Sequence, residues 1–385
     1  MKKCLIIIAL VISLTVLVSA PTPVFAEENI DFADLLSKIN ITELETFFNS
    51  LDQAEQKLLG GSFENLLKNL SSGIVISPNS IFTYVLTLVH NLAKSIFPGF
   101  AVLLCIILIT VLLNGIKSDF ASKSIHSVIN FASACIIGAI LCFTLTDTVQ
   151  SCLNFINKTF KLVQIIFPIL FSVLITMGAG TTATVYQSGI TLFLSALSML
   201  ISSFVAPIII ISSILSVITN ISPSLNLSKI PTFMTNTSKK ILSVSFVFFS
   251  SLLALQGISS QVYDNVGIRI AKFSLGKYIP ILGGYLSSGF DYIYAGSVLL
   301  KNSLGIAFIL LMFISVLPLI IKLVFMNFLI SILSLASSCV GNNTVSKMLD
   351  GIKENVSLMI TCIVGLVVSL SVFAVMTVLS FNSIS

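Results

Sequence analysis

Seven apolar runs constrain this chain more than any other feature, at about residues 97–114, 125–146, 162–178, 188–220, 241–258, 303–338 and 356–380. A helix needs roughly 20 apolar residues to cross a bilayer. Lipid offers no partner to backbone polar groups, so a spanning segment must satisfy them internally. Runs 188–220 and 303–338 are longer than one crossing requires, and each carries a proline near its middle, Pro207 and Pro318. Proline removes a backbone donor and clashes one turn back, so each run is expected either as a kinked helix or as a hairpin. Charged residues make up 9% of the chain and mean hydropathy is +1.08, whereas about a quarter of a soluble domain is charged. The expected fold is all-α and polytopic, with about 7–10 membrane passages and Pro/Gly-broken helices.

The N-terminus reads as a secretory signal over residues 1–26. Lys2 and Lys3 precede the apolar stretch Leu5–Val18, and Val24-Phe25-Ala26 supplies a small-residue cleavage site; an uncleaved anchor is the alternative. Residues 27–93 hold nine acidic residues against three lysines, whereas fifteen basic and six acidic residues follow from Lys94 onward. This division places the acidic segment outside the cytoplasm and gathers lysines inside. The net charge of +5 therefore bears on topology and not on nucleic acid, because readers of nucleic acid concentrate Arg and Lys on one face. Only one arginine, Arg269, is present.

Residues 27–76 read as a small helical region. Thr42 and Glu45 have capping-box spacing, and Leu44, Phe47, Phe48 and Leu51 follow at helical intervals. Residues 77–96 read as an amphipathic helix at the bilayer surface, with Ile81, Val85, Val89, Leu92 and Ile96 on one face and Thr83, Thr87, His90 and Lys94 on another. Residues 97–385 form the multipass domain. Within it, Phe167-Pro168-Ile169-Leu170 recurs as Ile279-Pro280-Ile281-Leu282, Pro207 recurs as Pro318, and lysine-led spans follow Lys240 and Lys353. These offsets suggest an internal repeat of about 112 residues, 160–258 against 272–380. With both long runs as hairpins, about ten passages result, the C-terminus lies outside, and Lys229, Lys239, Lys240, Lys301, Lys347 and Lys353 lie inside; unbroken long helices give seven.

Chemistry-bearing motifs are few. The sequence has no GxxxxGK[ST], GxGxxG, HExxH or GxSxG, and its two histidines, His90 and His126, stand near expected interfaces. Cys105, Cys135, Cys142, Cys152, Cys339 and Cys362 lie in or beside apolar runs without a CxxC pair, and read as small packing residues. No catalytic, metal or cofactor site is expected, so ATP-driven work would come from a partner. Asn114, Asn130, Asp147, Gln164, Gln187, Gln256, Lys322 and Asn327 read as interhelical hydrogen bonds or interfacial snorkels. Two blocks depart from this background. One is Gly178–Thr184, GAGTTAT, followed by Ser195, Ser198 and Ser202 on one helical face. The other is Lys277–Gly305, KYIPILGGYLSSGFDYIYAGSVLLKNSLG. Pro168, Gly178, Gly180, Lys277, Pro280, Gly283, Gly284, Asp291, Lys301 and Asn302 are the candidate shaping or gating residues. Polar and helix-breaking residues at membrane depth need protein or water as partners. The second block is expected as a bent or re-entrant element, capped at its inner end by Lys301-Asn302, with Asp291 facing protein or water. Two readings of the blocks are open: close packing through small residues, or the broken-helix site of a secondary transporter.

The sequence YIPILGGYLSSGFDYIYAGSVLLKNSLG resembles the most recognisable block of the stage III sporulation protein AE family, as does FPILFSVLITMGAGTTATVYQ at Phe167–Gln187. The signal, the acidic outer segment and the overall length match it as well. The resemblance implies a non-enzymatic multipass component of a secretion-like channel complex in the mother-cell membrane around the forespore, needed for late forespore development. It implies as partners the other proteins of the same operon, including an ATPase and ring-forming membrane proteins, together with a forespore membrane protein. A permease for a small solute and a membrane assembly factor without a pore are the competing functions.

Overall fold

A computed structural model describes residues 42–73, 77–115, 123–221, 229–278, 283–339 and 341–379, with side chains described for part of these. The signal segment lies outside them. Among the described residues every regular element is a helix.

Three short helices come first: α1 (Thr42–Asn49), α2 (Gln53–Leu58) and α3 (Phe63–Ser71). The apolar residues read at helical spacing become their shared core, with Leu44, Phe48, Leu59, Phe63 and Leu67 almost wholly buried. Capping geometry of the kind expected at Thr42 starts the next two helices. There the Asp52 backbone N–H donates to the Glu55 carboxylate at 3.1 Å, and Ser62 Oγ accepts from the Asn65 N–H to start α3. Asp52 and Ser62 stand just outside a helix in extended backbone, the geometry a cap requires, whereas Thr42 already belongs to α1. The unit rests on the long helices: Lys158 of the next-but-one helix lies over the Phe47 ring at 5.7 Å, and Tyr84 donates to Glu55 at 3.4 Å. Burial of Glu55 pushes its carboxyl above the ordinary range, against the lowering effects of the Asp52 N–H, Lys158 and Tyr84.

Long helices follow: α4 (Pro78–Gly115), α5 (Lys123–Thr176), α6 (Gly180–Leu200), a π-turn at Ile201–Val205, α7 (Ala206–Ile221), α8 (Lys229–Tyr278), α9 (Gly283–Cys339) and α10 (Asn343–Leu379). The expected surface helix 77–96 and the span 97–114 are thus one helix, α4, continuous through Pro98. Runs 125–146 and 162–178 also merge, as α5, across a polar middle that contains Asp147, Gln150, Asn154, Lys158 and Lys161. At about 1.5 Å per residue, α5 and α9 are each about 80 Å long, well over twice the hydrocarbon thickness.

Neither long run folds into a hairpin. α9 continues through Pro318. Near Pro207 the chain takes a π-turn immediately before the proline, and Pro207 then occupies the first turn of α7. The wider π-turn loosens the ring of hydrogen bonds at the point where proline can donate none. Lys322, one turn past Pro318, accordingly lies along α9 and not at a hairpin tip. It reaches Asp147 Oδ2 and Ser151 Oγ of α5, each at 3.4 Å.

The helices run alternately up and down, and residue pairs fix their directions. Gly138 of α5 meets Val217 of α7, Thr176 of α5 meets Ser297 of α9, and Gly305 of α9 meets Val378 of α10. α8 and α10 run parallel, joined by the Lys239–Glu354 ion pair and by Phe246 against Gly365. α6–α7 runs antiparallel to α8, and α9 runs antiparallel to α10. Four glycines set the spacing of the bundle: a β-carbon on Gly138, Gly305, Gly351 or Gly365 would collide with Val217, Val378, Ser216 or Phe246. Small residues that let helices approach closely are the usual means of packing where lipid supplies no hydrophobic drive. Five helices among the described residues are long and apolar enough to cross a membrane, in α4, α5, α6–α7, α9 and α10, and α9 is the most enclosed of them.

Candidate functional site at the Gly178 end

The two unusual sequence blocks meet at one end of the bundle. α5 stops at Thr176 because Gly178 enters the left-handed region, with φ 85°. The Ala179 N–H bonds the Leu174 carbonyl and the Gly178 N–H bonds the Ile175 carbonyl, both at 2.9 Å, which closes the helix in a Schellman turn. Gly180 then opens α6. Ala179 precedes this helix and has no side-chain acceptor to cap it, so another segment supplies the cap. Asp264 of α8, itself buried, accepts from the Thr181 N–H at 3.2 Å and from the Thr182 N–H at 2.6 Å. A carboxylate here satisfies free donors and lies at the positive end of the α6 dipole.

The second block packs against this turn. Ser297 Oγ lies 3.2 Å from Thr176 Oγ. Lys301 is wholly buried, Ser303 nearly so, and the Asn302 Oδ1 is enclosed with no hydrogen-bond partner, as is the Thr182 Oγ1. Aromatic rings close the site toward the bundle interior: Phe167 stands 5.2 Å from Phe308 and 5.0 Å from Phe373, and Tyr186 lies 5.1 Å from Phe373. An enclosed polar oxygen left unpaired costs on the order of 1–3 kcal/mol.

Pro168 lies inside α5, where its carbonyl still accepts, from Ser172 Oγ. Gly178 and Gly180 form the turn and the start of α6, as above. Gly283 and Gly284 open α9, and from there to Gly305 the block is one unbroken helix, so this part of it is neither bent nor re-entrant. Pro280 and the side chains of Lys277 and Asp291 lie outside the described residues. Lys301 and Asn302 stand in mid-helix and cap no helix end. They sit within α9 beside the Gly178 turn, at the opposite end of the bundle from Lys229, Lys347 and Lys353, because α9 runs down as one helix and does not reverse at Pro318. The Ser195, Ser198 and Ser202 face of α6 is turned outward in part, with Ser195 and Ser202 donating to their own helix four residues back.

Sequence reading did not single out Asp264. The available signal was its rarity, since only six acidic residues follow Lys94. Its occupation of the α6 N-terminus bears on the transporter reading. In broken-helix carriers the free N-terminus receives an anionic group of the substrate, whereas here a carboxylate of the protein fills that position. Among the described residues no group of His, Cys, Asp or Glu could hold a metal ion.

A charge-poor bundle of long apolar helices, bearing a small helical unit on its flank and a polar cluster at one end, defines an all-α integral membrane protein. The chain belongs to the stage III sporulation protein AE family, whose model matches residues 61–382. It is 26% identical to stage III sporulation protein AE of Bacillus subtilis (strain 168) over 372 residues, covering 92% of this chain and 90% of that protein. No solved structure matches it. Family membership gives the chain a part in sporulation.

Proposed function

We propose that this protein is a non-enzymatic membrane component of a secretion-like channel complex between mother cell and forespore, and that it works by holding a fixed portal. The observation that carries the reading is the tie between Asp264 and the start of α6. It joins the first sequence block to α8 in a dipole-matched contact, and Ser297 beside Thr176 brings the second block to the same turn, in the manner of a scaffold. Its place is the mother-cell membrane around the forespore, with residues 27–76 outside the cytoplasm after removal of the signal. Its partners are the other products of the same operon, including an ATPase and ring-forming membrane proteins, and a forespore membrane protein.

Two measurements test this. The full chain, affinity-tagged in sporulating cells, should co-purify with those operon products and move no solute when reconstituted alone in vesicles. Solute uptake by the protein alone would establish the permease reading instead. Asp264→Leu should lower spore yield while the protein stays in the membrane; normal yield would remove the role given to this end.

A further inference from the structure

The opposite end of the bundle holds a second polar feature. A cavity of about 350 Å³ opens between α7, α8 and α10, within the size range of small-ligand sites. Its inner wall is polar. Ser216 and Thr219 are buried there, and α7 meets α10 so closely at Gly351 that a β-carbon would strike Ser216. Asn220 and Thr232 line the sides, and Lys347 and Lys353 bring ammonium groups to it.

Two carboxylates also line this space, and both are engaged. Glu354 is paired with Lys239, which approaches from α8. Asp350 accepts from Ser334 Oγ of α9 at 2.8 Å. With Glu354 neutralised in this way, Lys347 and Lys353 outweigh Asp350. The Thr219 hydroxyl and one Asn220 N–H already donate to the Leu215 and Ser216 carbonyls, which leaves two lysines, the Thr232 hydroxyl and the second Asn220 N–H to receive a phosphate diester. The same helices expose apolar side chains beside it: Ile214 and Ile218 on α7, and Ile230 and Phe233 on α8, the last 70% exposed. An occupant with a phosphate head and apolar tails fits both features.

We propose that this cavity is a binding site for the headgroup of an anionic phospholipid, with its acyl chains laid along α7 and α8. Lys347 and Lys353 bind the phosphate, and Thr232 and Asn220 orient the headgroup. The site ties the base of the bundle to the cytoplasmic leaflet, where lysines collect and anionic lipid is plentiful.

The test uses the full chain in detergent, titrated with short-chain phosphatidylglycerol or phosphatidylcholine and followed by thermal unfolding and native mass spectrometry. Phosphatidylglycerol should stabilise the protein and remain bound, and phosphatidylcholine should not. Lys347→Gln with Lys353→Gln should weaken phosphatidylglycerol binding about 30-fold. Lys353→Arg should retain it, and so should Lys68→Gln on the distant α3. Equal stabilisation by both lipids, or unchanged affinity in the double variant, overturns the proposal. Inorganic phosphate competing at equal concentration would make the cavity a free-anion site, and overturns the lipid assignment. If the double variant does not fold, Thr232→Ile, at an exposed first-turn position, should still lower phosphatidylglycerol affinity, and unchanged affinity there counts against the site.

Discussion

A carboxylate that reaches two backbone N–H groups of another helix does the work of a capping residue from a distance of more than eighty positions in sequence. Asp264→Ala should therefore lower stability by about 1–2 kcal/mol, as the loss of a helix cap does. Asp264→Asn should recover part of this, because the amide oxygen still accepts while the charge–dipole attraction is lost. Thermal unfolding of the detergent-purified protein measures both. Glu55 gives a second prediction. Its carboxyl is raised above 4.5 by burial, so the folded unit holds the proton more tightly than the unfolded chain. The stabilisation is complete below pH 4.5, falls as pH rises through the raised value, and is constant above it. The chain has no tryptophan, so one introduced at Leu70 reports on this unit alone. Its urea midpoint should fall across that window, and Glu55→Gln should flatten the dependence. Neither residue stood out in sequence. A cap is recognisable when it precedes its own helix, as Ser62 does, but Asp264 acts across a tertiary contact that no local spacing encodes.

Helix by helix, the apolar runs announced the elements but not their joints. Helical spacing marked the residues around Leu44, and apolar length marked the runs that hold Ile137 and Ile363. It did not show that 77–96 continues into 97–114, or that α5 passes through its polar middle. Those continuities depend on contacts from elsewhere, such as Lys158 over Phe47 and Lys322 with Asp147. The hairpin alternative for the prolines failed for a related reason: α9 continues through Pro318, and beside Pro207 a π-turn takes up the lost donor. Glycine was the more reliable signal. Gly178, at φ 85°, closes α5 in a conformation that costs a residue with a β-carbon about 1–2 kcal/mol. Gly178→Val should be destabilising by that amount or more. Gly180→Ala, at a helical position with open space around it, should be nearly neutral. Comparing the two unfolding midpoints separates a need for positive φ from a general need for small residues at the turn.

For the molecule as a whole, the number and direction of the rods decide which parts share a compartment. α4, α5, α6–α7, α8, α9 and α10 are six rods running in alternate directions, and the pairs Gly138–Val217, Thr176–Ser297 and Gly305–Val378 fix the order of four of them. Five of the rods are long and apolar enough to cross; α8 lies antiparallel along α6–α7 and so should cross with them, and six passes put the start of α4 and the end of α10 on the same side. Lys229, Lys239, Lys240, Lys347 and Lys353 cluster toward the Gly341 end, which should be cytoplasmic by the positive-inside tendency. The Gly178 turn, α1–α3 and the end of α10 should then all face outward. Topology reporters distinguish this arrangement from an odd count. A reporter fused after Leu379 and one inserted at Gly178 should both read outside, whereas one inserted at Gly341 should read cytoplasmic. If the Leu379 fusion reads cytoplasmic while the Gly178 insertion reads outside, α9 and α10 do not both cross. The contacts Thr176–Ser297 and Gly305–Val378 could not then both persist in the membrane.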